Sequence, residues 1–245
     1  MILLLLLALA IPAAAESVDI IRDAYGSPHI FAQTPAGAAF GAGYAQAEDR
    51  PDAILRNLNP SEVLPEPPQL PAPVRALVQA YAAGINRYFD EHPQRSAPTI
   101  TASHIIAFAQ HAYAWIRGSN DLVLGRTRSA SRFVVAILDP IADWNSPDRP
   151  YEMSLYASNG DLSIAGVAPV GMPFPVVGHS QYVAVGWSPE NTEAHAPGGP
   201  RSLEEAWALI TARNIVEVHR ALAINQIPGH VLIGTSGGDL YDSAL

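Results

Sequence analysis

The chain has 245 residues, enough for one large domain or two small ones, and its 49% hydrophobic and 15% charged content excludes wholesale disorder. A formal net charge of −9, from 14 Lys+Arg against 23 Asp+Glu, argues against nucleic acid or an anionic membrane surface as a partner. There is no Cys, which excludes disulfides, thiol catalysis and thiolate metal sites together.

Residues Ile2 to Ile11 form an unbroken apolar run, too short for a membrane span, which needs about 20 residues. Pro12 breaks the run, and Ala13-Ala14-Ala15 gives the small-x-small pattern read by a signal peptidase just before Glu16. The prediction is a signal peptide over 1–15, cleaved after Ala15, with a secreted or periplasmic destination, although the usual basic residues are missing ahead of the run. No later stretch is long and apolar enough to cross a membrane.

Val18–Arg22 and His29–Ala32 read as short strands joined by a turn. Thr34 then Pro35 marks a helix start, and the Ala-rich run to Asp49 is the helix. Pro60, Pro65, Pro67, Pro68, Pro71 and Pro73 leave no helix or central strand over 59–73, which predicts a semi-rigid connector. Helices follow over about Val74–Glu91 and Ala102–Trp115, from apolar residues at helical spacing.

Beyond Ser119 the pattern changes to short strands: Leu122–Leu124, Phe133–Leu138, Glu152–Tyr156, Leu162–Gly166, Pro175–Val177 and Tyr182–Val185. Ser202-Leu203-Glu204-Glu205 reads as a capping box opening a helix to Arg213, and Ile215–Ala223 as another helix. His230–Ile233 and Leu240–Tyr241 read as a closing hairpin. Helices first, then mostly antiparallel strands, then helices and a hairpin predict an α+β layered sandwich rather than a parallel βαβ sheet.

Gly234-Thr235-Ser236-Gly237-Gly238 has the spacing of a nucleophile elbow. That elbow needs an acid and a His downstream, and no His follows Ser236, so it reads as a hairpin turn. His104 and His111, a heptad apart, read as partly buried helix histidines rather than half a metal site. Phosphate-loop and dinucleotide fingerprints are absent. Gly118-Ser119-Asn120 lies where helical periodicity gives way to strands. A Ser freed at a chain's N-terminus carries its own base, an α-amine with a pKa of about 7.7–8.0.

Arg22-Asp23-x-Tyr25-Gly26-x-Pro28-His29-Ile30-x-Ala32 and Phe40-Gly41-x-Gly43-Tyr44-Ala45-Gln46-Ala47-Glu48-Asp49-Arg50 resemble the opening motifs of the penicillin acylases (penicillin amidases), a family of N-terminal-nucleophile hydrolases. Ala80-Tyr81-Ala82-Ala83-Gly84-Ile85-Asn86, Gly171-x-Pro173, Gly178-His179 and Val183-Ala184-x-Gly186 are similar to later family segments. The resemblance implies a four-layer αββα sandwich, incomplete here. It also implies self-cleavage at Gly118–Ser119, giving an α-chain-like region 16–118 and a truncated β-chain-like region 119–245, held as an α/β heterodimer. Ser119 would be the nucleophile, with Asn120 orienting the new terminus. The substrate would be a small acyl-amide, a penicillin or an N-acyl-homoserine lactone, with no cofactor for the chemistry.

Departures accompany the resemblance. Asp139-Pro140-Ile141 stands where the family commonly reads Asp-Pro-His. The resemblance puts the backbone oxyanion donor on or near Pro189, which has no N–H, or on Glu190 or Ser188 if the register shifts by one. The family's structural calcium cluster is reduced to Glu190 and Glu193 near Ala194 and His195, a poor match. The family's side-chain oxyanion Asn lies beyond Leu245, so the chain is expected to be a shortened member or a fragment. The second reading is a catalytically inactive or truncated member acting as a binding domain. Arg22, Asp23, Tyr25 and His29 are expected to be architectural, with a buried Arg–Asp pair fixing the turn.

Overall fold

The computed structural model describes residues 16–61, 64, 69–116, 118–143, 145–146, 149–188 and 197–242. The predicted leader 1–15, most of the proline-rich connector, and Pro189, Glu190, Glu193 and His195 lie outside the described residues.

Asp19–Arg22 (β1) and Pro28–Ala32 (β2) form an antiparallel hairpin. Asp23 closes its turn, with Oδ1 accepting from the N–H groups of Tyr25 (2.8 Å) and Ser27 (3.0 Å). Because Asp23 is committed there, Arg22 reaches instead to Glu48 (2.6 Å) and Asp49 (2.7 Å). These three side chains are only partly buried, so the expected buried Arg–Asp pair is corrected to a half-exposed clamp between hairpin and helix. Tyr25 projects into solvent, 95% exposed.

Pro35–Asp49 (α1) starts as predicted: Thr34 Oγ1 accepts from Gly37 N (3.0 Å) and Pro35 fills the first position. The Glu16 carboxylate accepts from the N–H groups of Gln33 and Thr34 and from the Thr34 hydroxyl, placing negative charge at the positive end of α1. Pro51–Leu58 (α2) is a helix that the sequence reading missed, since Pro51 looks like a breaker yet occupies the first turn, where its missing N–H has no partner to lose. For the same reason Ala72–Glu91 (α3) begins inside the proline-rich stretch. Ala102–Ala109 (α4) stops short of the predicted Trp115, and residues 110–115 form turns.

The strands that follow are Gly118–Ser119 (β3), Leu122–Leu124 (β4), Val135–Ile137 (β5), Pro140–Ile141 (β6), Tyr151–Ala157 (β7), Leu162–Ala168 (β8), Val177–Ser180 (β9) and Val183–Ser188 (β10). Ser202–Ile210 (α5), Ile215–Leu222 (α6), His230–Thr235 (β11) and Leu240–Asp242 (β12) complete the described order. The predicted capping box is not formed. Ser202 lies inside α5 and donates to Gly199 O (2.7 Å), while Glu205 turns inward and accepts from the N–H groups of Gln226 and Ile227.

Eight strands form one sheet in the order β1-β2-β7-β8-β9-β10-β11-β12. Every neighbouring pair is antiparallel except β2 and β7, which run parallel from His29↔Ser154 to Ala32↔Ala157. The α+β class therefore holds, with one parallel pair that the sequence did not indicate. Met153, Leu155, Ile164, Val183, Val185, Trp187 and Ile233 alternate onto one face and join the core, against which α1 and α5 pack. On the other face two ribbons, β3–β6 and β4–β5, lie over β10 and β11.

The helices pack through glycine. A Cβ on Gly43 would collide with Tyr81 O, and one on Gly84 with Phe40 O, so α1 and α3 touch backbone to backbone. Gly84→Ala is expected to destabilise the protein by about 1–3 kcal/mol or more through overpacking, measured by urea denaturation. Glu205 gives a pH-dependent term, since burial raises its pKa while the two N–H donors oppose the rise. A carboxyl raised in the folded state adds stability below its unfolded value of about 4.3, and that stability is lost as pH rises through the folded value. Glu205→Gln is expected to flatten the fall in stability as pH rises above the unfolded value of about 4.3, read as a smaller difference in urea midpoints than in the wild type.

Candidate active site

The ribbon β3–β6 brings the predicted nucleophile into a closed set of hydrogen bonds. Gly118 pairs with Ile141 and Ser119 with Pro140. Ser119 therefore opens no strand of the large sheet; it sits half-buried on a two-residue strand above β10. Asn120 N donates to Asp139 O (3.1 Å), and Asn120 Nδ2 to Asp139 Oδ2 (3.0 Å). Asp139 N donates to Asp121 Oδ1 (2.8 Å), and Asp121 N donates to Ser119 Oγ (3.0 Å). The hydroxyl is thus fixed by the backbone two residues ahead, and Asp139 locks that backbone in turn.

The second oxygen of Asp121, Oδ2, is buried and has no hydrogen-bond donor among the described residues. It occupies the space that a Cβ on Gly186 of β10 would need, with Leu138 Cδ2 at 3.1 Å from the same point. Leu138 also lines a groove of about 320 Å³ between the β4–β5 ribbon and the sheet, together with Val134, Ala136, His179, Ala184 and Gly234. Ser180, Gln181, Tyr182, Thr235 and Ser236 add polar groups to its wall, and no residue of the β3–β6 ribbon lines it.

Asp121 and Asp139 are the site residues that sequence reasoning missed. The available signal was Asp121 two positions after Ser119, hence on the same side of an extended chain. Of the other candidates, Ser236 lies in the β11–β12 hairpin turn, its N–H donating to Tyr182 O (2.7 Å). His104 is buried at the start of α4, with Nδ1 accepting from Thr101 N (3.0 Å), whereas His111 is exposed beyond the helix end. Among the described residues no group of three or more His, Cys, Asp or Glu gathers that could hold a metal ion, and the residues matched to a calcium cluster lie outside them.

The sequence profile of the family described as Penicillin amidase matches residues 17–54 and 101–196, more than half of the chain and inclusive of Ser119. The chain belongs to the penicillin amidase family. Its relatives include acyl-homoserine lactone acylases of Pseudomonas fluorescens (strain Pf0-1), 26% identical over 257 residues, and of Pseudomonas putida (strain KT2440), 25% identical over 257 residues. A third, from Pseudomonas savastanoi pv. phaseolicola (strain 1448A / Race 6), is 23% identical over 265 residues. Each match uses 71% of this chain and 33% of the relative, so the chain spans about a third of their length. An alignment of 257 positions on 71% of 245 residues also means that the relatives carry internal segments absent from this member. These matches fit the expectation of a shortened family member or a fragment.

Gly186→Ala, at a backbone conformation open to Ala, is expected to displace the Asp121 carboxylate and break its bond from Asp139 N. A destabilisation of about 1–3 kcal/mol in chemical denaturation is the expected outcome; unchanged stability would mean that the carboxylate is not held there.

Proposed function

We propose that the chain is the nucleophile-bearing core of a secreted or periplasmic amidohydrolase that removes the acyl group from an N-acyl-homoserine lactone or a related acyl-amide such as a penicillin. One observation carries the reading: Ser119 Oγ, within the family-matched segment, is oriented by the Asp121 N–H on a two-residue strand lying over β10. The names of the relatives favour the lactone class.

In this reading Ser119 Oγ first attacks the Gly118 carbonyl. The new C–O bond replaces the peptide C–N bond, and water hydrolyses the ester to a Gly118 carboxylate and a free Ser119 α-amine. Gly118 has no side chain to obstruct the approach. In turnover the α-amine takes the hydroxyl proton as Oγ attacks the amide carbon of the substrate. The amine leaves with a proton, and water releases the acid from the acyl-enzyme. Gly118 and Ser119 act as the cleavage site and nucleophile, and Asn120, tied twice to Asp139, steadies the new terminus.

Contacts across the cut support a lasting α/β heterodimer. β2 pairs with β7, Tyr151 OH donates to Asp49 Oδ2 (2.6 Å), and Gln46 Nε2 donates to Met172 O (2.9 Å). The four-layer αββα sandwich belongs to the same proposal, with the two ribbons standing where a second sheet would stack.

Mass spectrometry of the purified secreted protein is expected to find two chains, one from Glu16 to Gly118 and one beginning at Ser119. Ser119→Ala is expected to remain single at residues 118–119 and to lose hydrolysis of an N-acyl-homoserine lactone by several orders of magnitude, followed by release of the primary amine. Wild-type hydrolysis by that variant would overturn the assignment.

A further inference from the structure

We infer that Asp121 is the positioning residue for the Ser119 α-ammonium: once the Gly118–Ser119 bond is cut, Asp121 Oδ2 accepts from the new terminus and holds the amine beside the hydroxyl that it must deprotonate. The inference rests on the self-cleavage reading above and adds to it a partner for the base.

Three observations converge on it. The Asp121 N–H bond to Ser119 Oγ folds the two residues onto each other at 3.0 Å. The carboxylate is pinned through Oδ1 by Asp139 N, which leaves Oδ2 buried without a donor among the described residues. Gly186 keeps the space that Oδ2 fills, because any Cβ there would expel it. A buried carboxylate oxygen lacking a donor is unfavourable unless a cation reaches it. Cleavage two residues away replaces an amide N–H with an ammonium carrying three donors.

Among the described residues, few other charged or titratable groups face this point. Asp139 Oδ2 already accepts from Asn120 Nδ2. β6 contributes Pro140 and Ile141, and β10 contributes Gly186 and Ser188. β11 contributes His230, opposite Ser188 on the same face. An anionic partner favours the charged form of an amine, so Asp121 holds the Ser119 terminus protonated to higher pH than a free terminus.

The test uses the absence of Lys from the chain. With no ε-amines, the chain termini are the only amines that a short pulse of acetic anhydride can label; hydroxylamine then removes O-acetyl groups from Tyr, and the chain's own amino terminus serves as the internal reference. Labelling is followed by mass spectrometry from about pH 6 to 10, a range spanning the α-amine's ordinary pKa. Asp121→Asn is expected to lower the labelling midpoint of the Ser119 terminus by about one unit, an approximately tenfold rise in its labelling near pH 7 relative to the reference. Asp121→Glu is expected to retain most of the wild-type midpoint. The acidic limb of any hydrolytic pH profile is expected to move in the same direction. If Asp121→Asn is not cut, Gly186→Ala, which displaces the same oxygen, is expected to lower the midpoint instead. A cut wild type whose midpoint neither variant moves overturns this inference and leaves the nucleophile reading standing. An uncut wild type overturns both.

Discussion

The contact between α1 and α3 is the constraint from which the positions of the other layers follow. With no side chain at Gly43 or Gly84, the two backbones approach until carbonyls fill the Cβ positions. At that separation Tyr81 OH reaches Gln46 Oε1 (2.8 Å). The same oxygen accepts from Gly171 N (2.9 Å), and Gln46 Nε2 donates to Met172 O (2.9 Å). Gln46 is fully buried, so these bonds are obligatory, and removing any partner leaves an unsatisfied polar group in the core. Gly171 has a φ of +113°, and Phe108 fills the space at 2.9 Å where its Cβ would lie. The helix layer thereby fixes the loop between β8 and β9, and with it the height of the sheet.

The opposite face obeys the inverse rule. On β10 and β11, Trp187 and Ile233 project into the core, while their neighbours Gly186 and Gly234 project nothing. A Cβ at Gly234 would meet Val123 and Val134 at 2.8 Å. The ribbons consequently rest on bare sheet backbone, which brings the 118–121 segment down onto β10 and buries one carboxylate oxygen of Asp121. The large core side chains and the 118–121 segment are thus placed by alternate residues of the same strands.

This division explains how much was legible in the sequence. α1 was readable to the residue because its cap and its small-residue run are local signals, and β7 and β8 because their faces alternate cleanly. Ser119 was singled out because periodicity changes there and because the resemblance places the cut at Gly118–Ser119. Asp121 and Asp139 were not, since their contact depends on the register of one ribbon, which no local spacing encodes. β9 was placed too early, at Pro175. Its pairing instead turns on Gly178 lying against Gly166, where a Cβ on either would strike the facing backbone, and glycine carries no hydropathy signal for such an approach. Ser202-x-x-Glu205 satisfied a local capping rule, but both side chains were drawn to the 226–227 backbone, a tertiary preference over a local one.

Ile141 sharpens the chemical consequence. The resemblance to the family leads one to expect His at this position, and the structure pairs Ile141 directly across the ribbon from Gly118, 46% exposed. Its side chain can shield the Gly118–Ser119 peptide from water on that side, but it can neither give nor take a proton. Asp139, one residue before Pro140, has its carboxylate oxygen Oδ2 occupied by the Asn120 side-chain amide rather than by the hydroxyl. On the proposed reading the proton of Ser119 then has one acceptor within its own residue, the α-amine. That amine exists only after the first bond is broken. Self-cleavage must therefore proceed without it, drawing on the tethering of Oγ next to its own preceding carbonyl, a proximity effect of the kind that supplies high effective molarity without a general base.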